Sequence, residues 1–462
     1  MKILHYTIGF APERTGGLVG YATDLMIEQK RQHHEVFALY PSSQLFFGKK
    51  PRIKEKPEKF GIKTFGLVNS LPLALFGGVA NPVDLMIRCD EKIFLEFLKT
   101  LNPEVIHIHS LIGLHKEFLE AAKRLNIKIV YTTHDYYGLA PIPNFYYNGV
   151  SFDEDNSNLA WNIMSADALS TKKLRIFQSS LYPSIRKWMK KLNKNPKHKA
   201  YQAIETIVET TDYNSLKQYY IEMFKLIDNF HFNSSLAQSI YRNNLPFEPK
   251  GKVISITNAT IKKHNNKRNE ITKKTVAYIG PDEEYKGYFD FLEFTKKLDL
   301  SKYQINTYGH IPNEFAPAYI EQKGRFSQEQ LGKIYSEIDY LIIPSRWKET
   351  FGLVTLEALS FGVNVFVTFL LGTFISGLIG ILQGSLDWLS FTSKIYDGFA
   401  QMNEIFLVFL FTGGLAYMID KEGGINFLTK KIMQFVDTKL KAKIGIGFLV
   451  GIIDAAIANN TV

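Results

Sequence analysis

The sequence predicts an α/β chain with two successive doubly wound parallel-sheet units, the second cut short, followed by α-helical membrane segments. Three observations carry this. Short β-like runs alternate with amphipathic helical stretches over roughly the first third of the chain. The alternation restarts after a polar, charged stretch, KKHNNKRNEITKK at 262–274. Then, from Ala358 to Leu386, there is no Asp, Glu, Lys or Arg. The first two describe a parallel sheet covered on both faces, repeated. The third describes a different solvent.

In order, KILHYTI (2–8) reads as a strand and GLVGYATDLMIEQKRQ (17–32) as a helix. EVFALYP (35–41) is a strand, EKIFLEFLKTL a helix, EVIHIHS (104–110) a strand, GLHKEFLEAAKRLN a helix and IKIVYTTHD (127–135) a strand. Residues 157–245 read as mostly helical around the strand-like NFHFNS (229–234). The second unit gives TVAYIG (275–280), YQINTYG (303–309) and DYLIIPS (339–345) as strands. The helices GYFDFLEFTKKL, SQEQLGKIYSEI and TFGLVTLEALSFG (350–362) lie between and after them. VNVFV (363–367) opens one more strand. Two such units make Rossmann-like domains, with ligands expected at the carboxyl ends of the strands. The expected domains are 1–250, 251–366 and 367–462.

The chain has 462 residues, 45% hydrophobic and 22% charged, enough for two to four domains with full cores. MKILHYTIGF is not a signal peptide: His5 breaks its apolar run, and Pro12, Glu13 and Arg14 end it. The single cysteine, Cys89, excludes an internal disulfide framework and fits a reducing cytoplasm. The net charge of +10 is uneven. No acid stands between Asp167 and Glu205, while lysines and arginines crowd 172–199 around Trp188 and Met189 in SIRKWMKKL. A basic amphipathic helix with a boundary tryptophan suits an anionic membrane surface. A solvated lysine-rich helix is the plainer alternative. No nucleic-acid motif accompanies the charge, so no nucleic-acid partner is expected.

The sharpest motif is PSRWKETFGLVTLEALSFG. It sets Glu349 at a strand–helix turn and Glu357 about two turns along the helix. Carboxylates there can accept hydrogen bonds from sugar hydroxyls. Gly352 permits close backbone approach, and the helix N-terminus offers N–H groups to phosphate. This stretch resembles the E-x7-E motif of retaining glycosyltransferases of family 4, which have the GT-B fold. Other residues fit in order. Gly16 and Gly17 in GGLVGYATDLM look like the loop near the donor diphosphate. HHEVFAL is similar to the G-H-E-V entry into a strand, with His33 where glycine is usual. His134 in YTTHD is similar to the histidine that contacts the donor sugar, with Asp135 orienting the loop. His107 and His109 share one strand face and read as structural. YIGPDEEYKGYFDFL resembles the second glycine loop, with Lys286 matching the lysine that neutralises the diphosphate. Pro281 stands where a basic residue usually follows the glycine, which removes one phosphate ligand. Arg346 either substitutes for it or supports the cleft wall.

The resemblance implies transfer of a sugar from a nucleotide-sugar to an acceptor hydroxyl with retention, without a metal or other cofactor. Glu349 and His134 would be catalytic. Gly16, Gly17, Lys286, Gly352 and Glu357 would bind the donor. Lipid-linked or other glycan acceptors imply bacterial capsular or exopolysaccharide synthesis at the cytoplasmic face of the membrane.

The resemblance covers residues 1 to about 366. Three apolar segments follow, at 363–385, 405–419 and 444–462. The first is long enough to cross a hydrocarbon core of about 30 Å. FLFTGGLAYMIDKEGGINFL and GIIDAAIANNTV look like NhaC-type sodium–proton antiporters. That resemblance implies Asp454, Asn459, Asn460 and Thr461 as ion-pathway residues. Two truncated proteins joined in frame is the preferred expectation, with transfer impaired by the truncation. A membrane-anchored enzyme, a non-catalytic chimera and an antiporter fragment are the alternatives.

Overall fold

The computed structural model describes residues 1–44, 50–74, 77–179, 202–262, 264, 273–363, 387 and 390. The chain divides into two compact units, Met1–Gly372 and Thr373–Val462. Among the described residues no helix is long and apolar enough to cross a membrane. The expected membrane segments fall almost wholly outside those residues, as do Asp454, Asn459, Asn460, Thr461 and most of the basic stretch 172–199.

Among the described residues the first unit holds two large sheets and one two-stranded hairpin sheet. Strand β1 (Lys2–Tyr6) leads through Gly16 into helix α1 (Gly17–Arg31) and β2 (Glu35–Pro41). A hairpin follows, β3 (Arg52–Lys59) and β4 (Ile62–Val68). Helix α2 (Lys92–Leu101), β5 (Val105–Ile108), α3 (Lys116–Arg124) and β6 (Lys128–Thr132) continue the alternation. Next come a small hairpin, β7 (Tyr146–Tyr147) and β8 (Val150–Ser151), then helices α4 (Asn158–Met164), α5 (Thr171–Phe177) and α6 (Asn214–Lys225). Strand β9 (Asn229–Phe232), α7 (Ser235–Asn244) and β10 (Gly251–Val253) complete the first sheet. Its eight strands run in the order β10-β9-β6-β5-β1-β2-β4-β3. All neighbours are parallel except β3 and β4.

The second sheet is built from β11 (Lys274–Ile279), β12 (Tyr303–Tyr308), β13 (Ile320–Gln322) and β14 (Tyr340–Leu341). They stand in the order β13-β12-β11-β14, all parallel. Helices α8 (Tyr288–Thr295), α9 (Leu331–Ser336) and α10 (Leu353–Ser360) accompany it.

The cores explain the pattern. In α2, Phe94, Leu98 and Leu101 recur at helical spacing and are buried, and left-handed Asn102 ends the helix. In β1, Ile3, Leu4, His5 and Tyr6 are all buried, as a central parallel strand covered on both faces requires. One large apolar cluster spans the first sheet, and two smaller ones flank the second. His33 has a φ of 64°, the left-handed region, which accounts for glycine being usual at that place in the resembled motif.

Candidate functional site

The site is built around the turn that enters α10. Lys286 ends a short 3-10 turn, Glu284–Lys286, and Gly287 follows it with a φ of 71°. Its Nζ donates to Glu349 Oε1 at 2.6 Å, and the hydroxyl of Ser345 donates to the same oxygen. Lys286 also lies 4.9 Å above the Trp347 ring. Burial pushes the Glu349 carboxyl up, but the Lys286 ammonium and the Ser345 hydroxyl outweigh it. The net result is a carboxyl held below its ordinary range. Glu349 is therefore an anion that fixes an ammonium at the turn into α10.

Gly352 caps α10 in a left-handed conformation, 3.5 Å from Glu349 Oε2 measured to the place its Cβ would occupy. One face of α10 then carries Glu357. Asn258 Nδ2 donates to its Oε1 at 2.7 Å, and the Tyr335 hydroxyl donates to Oε2 at 3.2 Å. Burial raises the Glu357 carboxyl despite both bonds. The next residue, Ala259, donates its N–H to Asp24 on α1 at 2.8 Å, so the connecting strand of chain touches both sheets' helices.

From the first sheet, the turn Gly16–Gly17 reaches α10. A Cβ on Gly17 would stand 3.3 Å from Leu353 Cδ1, so only a residue without one fits without displacement. His134, just past β6, offers its carbonyl to the Thr350 hydroxyl at 2.9 Å. Lys348 donates to Asp153 at 2.6 Å, and the Tyr136 hydroxyl donates to the Lys348 carbonyl at 2.9 Å. The residues read from the sequence as catalytic or donor-binding thus gather around one segment, 344–357, except Gly16, whose contribution is the turn itself (φ 118°). Arg346 is engaged elsewhere. Its guanidinium grips Asp290 with two nitrogens and reaches Glu284 and the Tyr146 hydroxyl at 3.3 Å, which ties this turn to α8 and β7.

Sequence reasoning missed the setting of His134. His5 Nε2 contacts Gln29 Oε1 at 2.7 Å, and His5 Nδ1 contacts His109 Nε2 at 2.9 Å. His109 Nδ1 in turn contacts His134 Nε2 at 3.1 Å. Beside this run, His107 Nε2 meets Thr132 Oγ1 at 2.7 Å, Thr132 Oγ1 meets His231 Nδ1 at 3.0 Å, and His231 Nε2 meets the Ile254 carbonyl at 2.7 Å. Burial depresses all five imidazoles, His5 to about 4 and His134 to about 3. The signal was available in part: HIHS and THD place three of the five at strand ends, but the partners lie on other strands.

Burial also raises the Asp135 carboxyl to about 7, against the one Tyr137 N–H that it accepts at 2.9 Å. A native pKa above the unfolded value means that the folded state holds more protons across that window. Its contribution to stability is therefore complete below about pH 4 and is lost as pH rises through about 7. The depressed histidines act oppositely, losing stability as pH falls below about 6.5. Asp135→Asn removes only the carboxyl's contribution. The variant is expected to gain stability relative to the parent between pH 5 and pH 8, by roughly 2–4 kcal/mol. Urea midpoints at the two pH values measure this, and parallel pH dependence in the two proteins would refute it.

Two groups among the described residues bring three metal-ligating side chains within 4.8 Å of one another: His5, His107 and His109, and Cys89, His115 and Glu117. In the first, both nitrogens of His5 and of His109 and the Nε2 of His107 are already spent on the hydrogen bonds above, so these rings fit a hydrogen-bond network better than a cation.

Residues 15–164 match the family model described as Glycosyltransferase Family 4, and residues 260–374 match Glycosyl transferases group 1. The junction expected near 366 falls inside the second match. A Klebsiella pneumoniae protein described as an uncharacterized 41.2 kDa protein in the cps region is 33% identical over 109 residues. The aligned part is 23% of this chain and spans 30% of that relative's length. Similar solved structures include a sucrose-phosphate synthase from Thermosynechococcus elongatus (12% identity, TM-score 0.45, 78% of this chain and 79% of that one). Anabaena HepE in complex with UDP and glucose is another (11%, TM-score 0.44, 78% and 79%). The two family matches, falling one on each large sheet and in chain order, support a glycosyltransferase built on two Rossmann-like sheets.

Proposed function

We propose that this chain transfers a sugar from a nucleotide-sugar to an acceptor hydroxyl with retention of anomeric configuration, in the synthesis of a bacterial capsular or related polysaccharide. The observation that carries the reading is the Lys286–Glu349 pair at 2.6 Å, set beside Gly352 at the start of α10 and facing the Gly17 turn. A departing nucleoside diphosphate gains negative charge as the sugar leaves. In this reading Lys286 and the α10 N–H groups receive that charge, and no metal is needed to do so. Glu349 orients Lys286 and accepts from the donor sugar. Glu357 keeps lone pairs for ribose hydroxyls beyond those used by Asn258 and Tyr335. His134 contacts the donor sugar. The cps-region relative motivates the capsular assignment, and the basic residues at 172–199 motivate a lipid-linked acceptor at the cytoplasmic face of an anionic membrane.

The test incubates the full chain with a panel of nucleotide-sugars and lipid-linked acceptors, with and without anionic vesicles, and determines product anomers by NMR. Transfer with the donor's anomeric configuration, faster on vesicles, is expected. No nucleoside diphosphate release with any donor would sink the enzymatic reading. An inverted product would sink retention, and indifference to vesicles the membrane assignment.

A further inference from the structure

The two imidazole chains have a direction. A backbone carbonyl only accepts, so His231 carries its proton on Nε2, toward Ile254. A neutral ring has one N–H, so His231 Nδ1 accepts from the Thr132 hydroxyl, whose oxygen accepts from His107 Nε2. In the second chain the direction is set by the Gln29 amide, which turns its oxygen rather than its NH2 toward the ring. Gln29 Oε1 accepts from His5 Nε2, His5 Nδ1 accepts from His109 Nε2, and His109 Nδ1 accepts from His134 Nε2. Each ring passes the constraint on, and the last nitrogen, His134 Nδ1, is left as a bare acceptor with no protein partner among the described residues. His134 is partly exposed, and its carbonyl is tied to Thr350, the neighbour of Glu349.

We propose that Gln29, His5 and His109 form a directional relay that holds His134 as the Nε2–H tautomer and presents its Nδ1 lone pair to the donor sugar. The site thereby takes a sugar with a hydroxyl at that place over one with a carboxylate. The selectivity rests on the transferase reading above; the tautomer does not. A hydroxyl donates into the lone pair. A uronic acid carboxylate has only acceptors to offer, and faces repulsion from it. Burial keeps the rings uncharged near neutrality, so His134 does not gain a second proton to meet a carboxylate. Gln29, His5 and His109 are positioning residues, acting on the sugar only through His134.

The experiment has two arms on the full chain. In the first, histidine labelled with 15N is read by long-range proton–nitrogen NMR without substrate, with rings assigned by single replacements. Nε2–H is expected at His5, His107, His109, His134 and His231. In Gln29→Leu, which leaves the reacting groups untouched, His134 is expected to populate both tautomers, while Gln29→Glu, still an acceptor, keeps Nε2–H. Nδ1–H at His134 in the parent, or no change in Gln29→Leu, overturns the relay whatever the enzyme transfers. In the second arm, calorimetry compares matched donors: UDP-glucose with UDP-glucuronic acid, UDP-galactose with UDP-galacturonic acid, and GDP-mannose with GDP-mannuronic acid. The neutral member of the pair that binds is expected to bind about tenfold tighter, an advantage that shrinks in Gln29→Leu. Equal or reversed affinities overturn the selectivity. No binding by any pair overturns the donor-site reading while leaving the tautomer result standing.

Discussion

Replacing Lys286 with methionine is expected to slow sugar transfer by about two to three orders of magnitude, the usual effect of removing one preorganised donor from a developing anion. The loss should fall mainly on kcat, because the charge on the diphosphate oxygens grows only as the sugar leaves. Methionine keeps the length and the apolar contact with Trp347, so the change isolates the ammonium. It also leaves the Glu349 carboxylate without its cation. Both side chains are about a quarter exposed, which moderates the stability cost to roughly 1–3 kcal/mol. The Glu349 carboxyl, now held down by Ser345 but no longer by Lys286, should titrate higher. Lys286→Arg restores charge with a different shape and should recover part of the rate. Initial rates with the best donor decide the matter. Activity within about threefold of the parent in Lys286→Met would remove Lys286 from the chemistry.

Gly287→Ala is expected to be the most damaging single change near the site. A Cβ there would lie 1.8 Å from the Pro344 carbonyl oxygen and 2.5 Å from its carbon, and the backbone at φ 71° is one that side chains rarely adopt. Both segments are backbone, so relief requires moving the 344–349 turn away from the Lys286 turn. The two turns are joined at Arg346, whose N–H donates to the Tyr285 carbonyl at 2.9 Å. The cost is expected to exceed about 3 kcal/mol. Separation of Lys286 from Glu349 would also reduce transfer in any molecules that remain folded. Proteolytic susceptibility of the second sheet against that of the first, followed with temperature, reads the effect locally. A parent-like melting profile would show that the approach of Gly287 to Pro344 is not a constraint.

Much of this arrangement was legible because period and motif coincide. Strand EVFALYP matches β2, and the Glu349 and Glu357 spacing places both carboxylates on α10's approach and its face. Strand β3 was not legible: RIKEKPEK has one apolar side chain besides proline, because it pairs on one side only and lies open to water. DYLIIPS reads as seven strand residues, yet only Tyr340 and Leu341 are assigned to β14. The ladder runs on through the Ile342 N–H to Ala277, and the chain then turns to bring Ser345 to Glu349. The histidine relay was hidden for a topological reason. His5 is brought opposite His107 by the β1–β5 register, and Thr132 opposite His231 by the β6–β9 register. No local pattern states which strands are neighbours. The pairing of Lys286 with Glu349 was equally non-local, although both residues were singled out by their own motifs.

The hairpin strand β3 has a further consequence, for crowding rather than for catalysis. It forms one outer margin of the eight-stranded sheet, where unpaired N–H and C=O groups could template a strand from another chain. Lys54, Glu55, Lys56, Glu58 and Lys59 line that margin, Pro57 withholds one N–H, and the register shifts between Lys56 and Lys59. An incoming strand would meet alternating charges, a missing donor and a broken repeat within six residues. This margin is therefore a poor template for ribbon-like self-association when copies of the chain meet at high concentration.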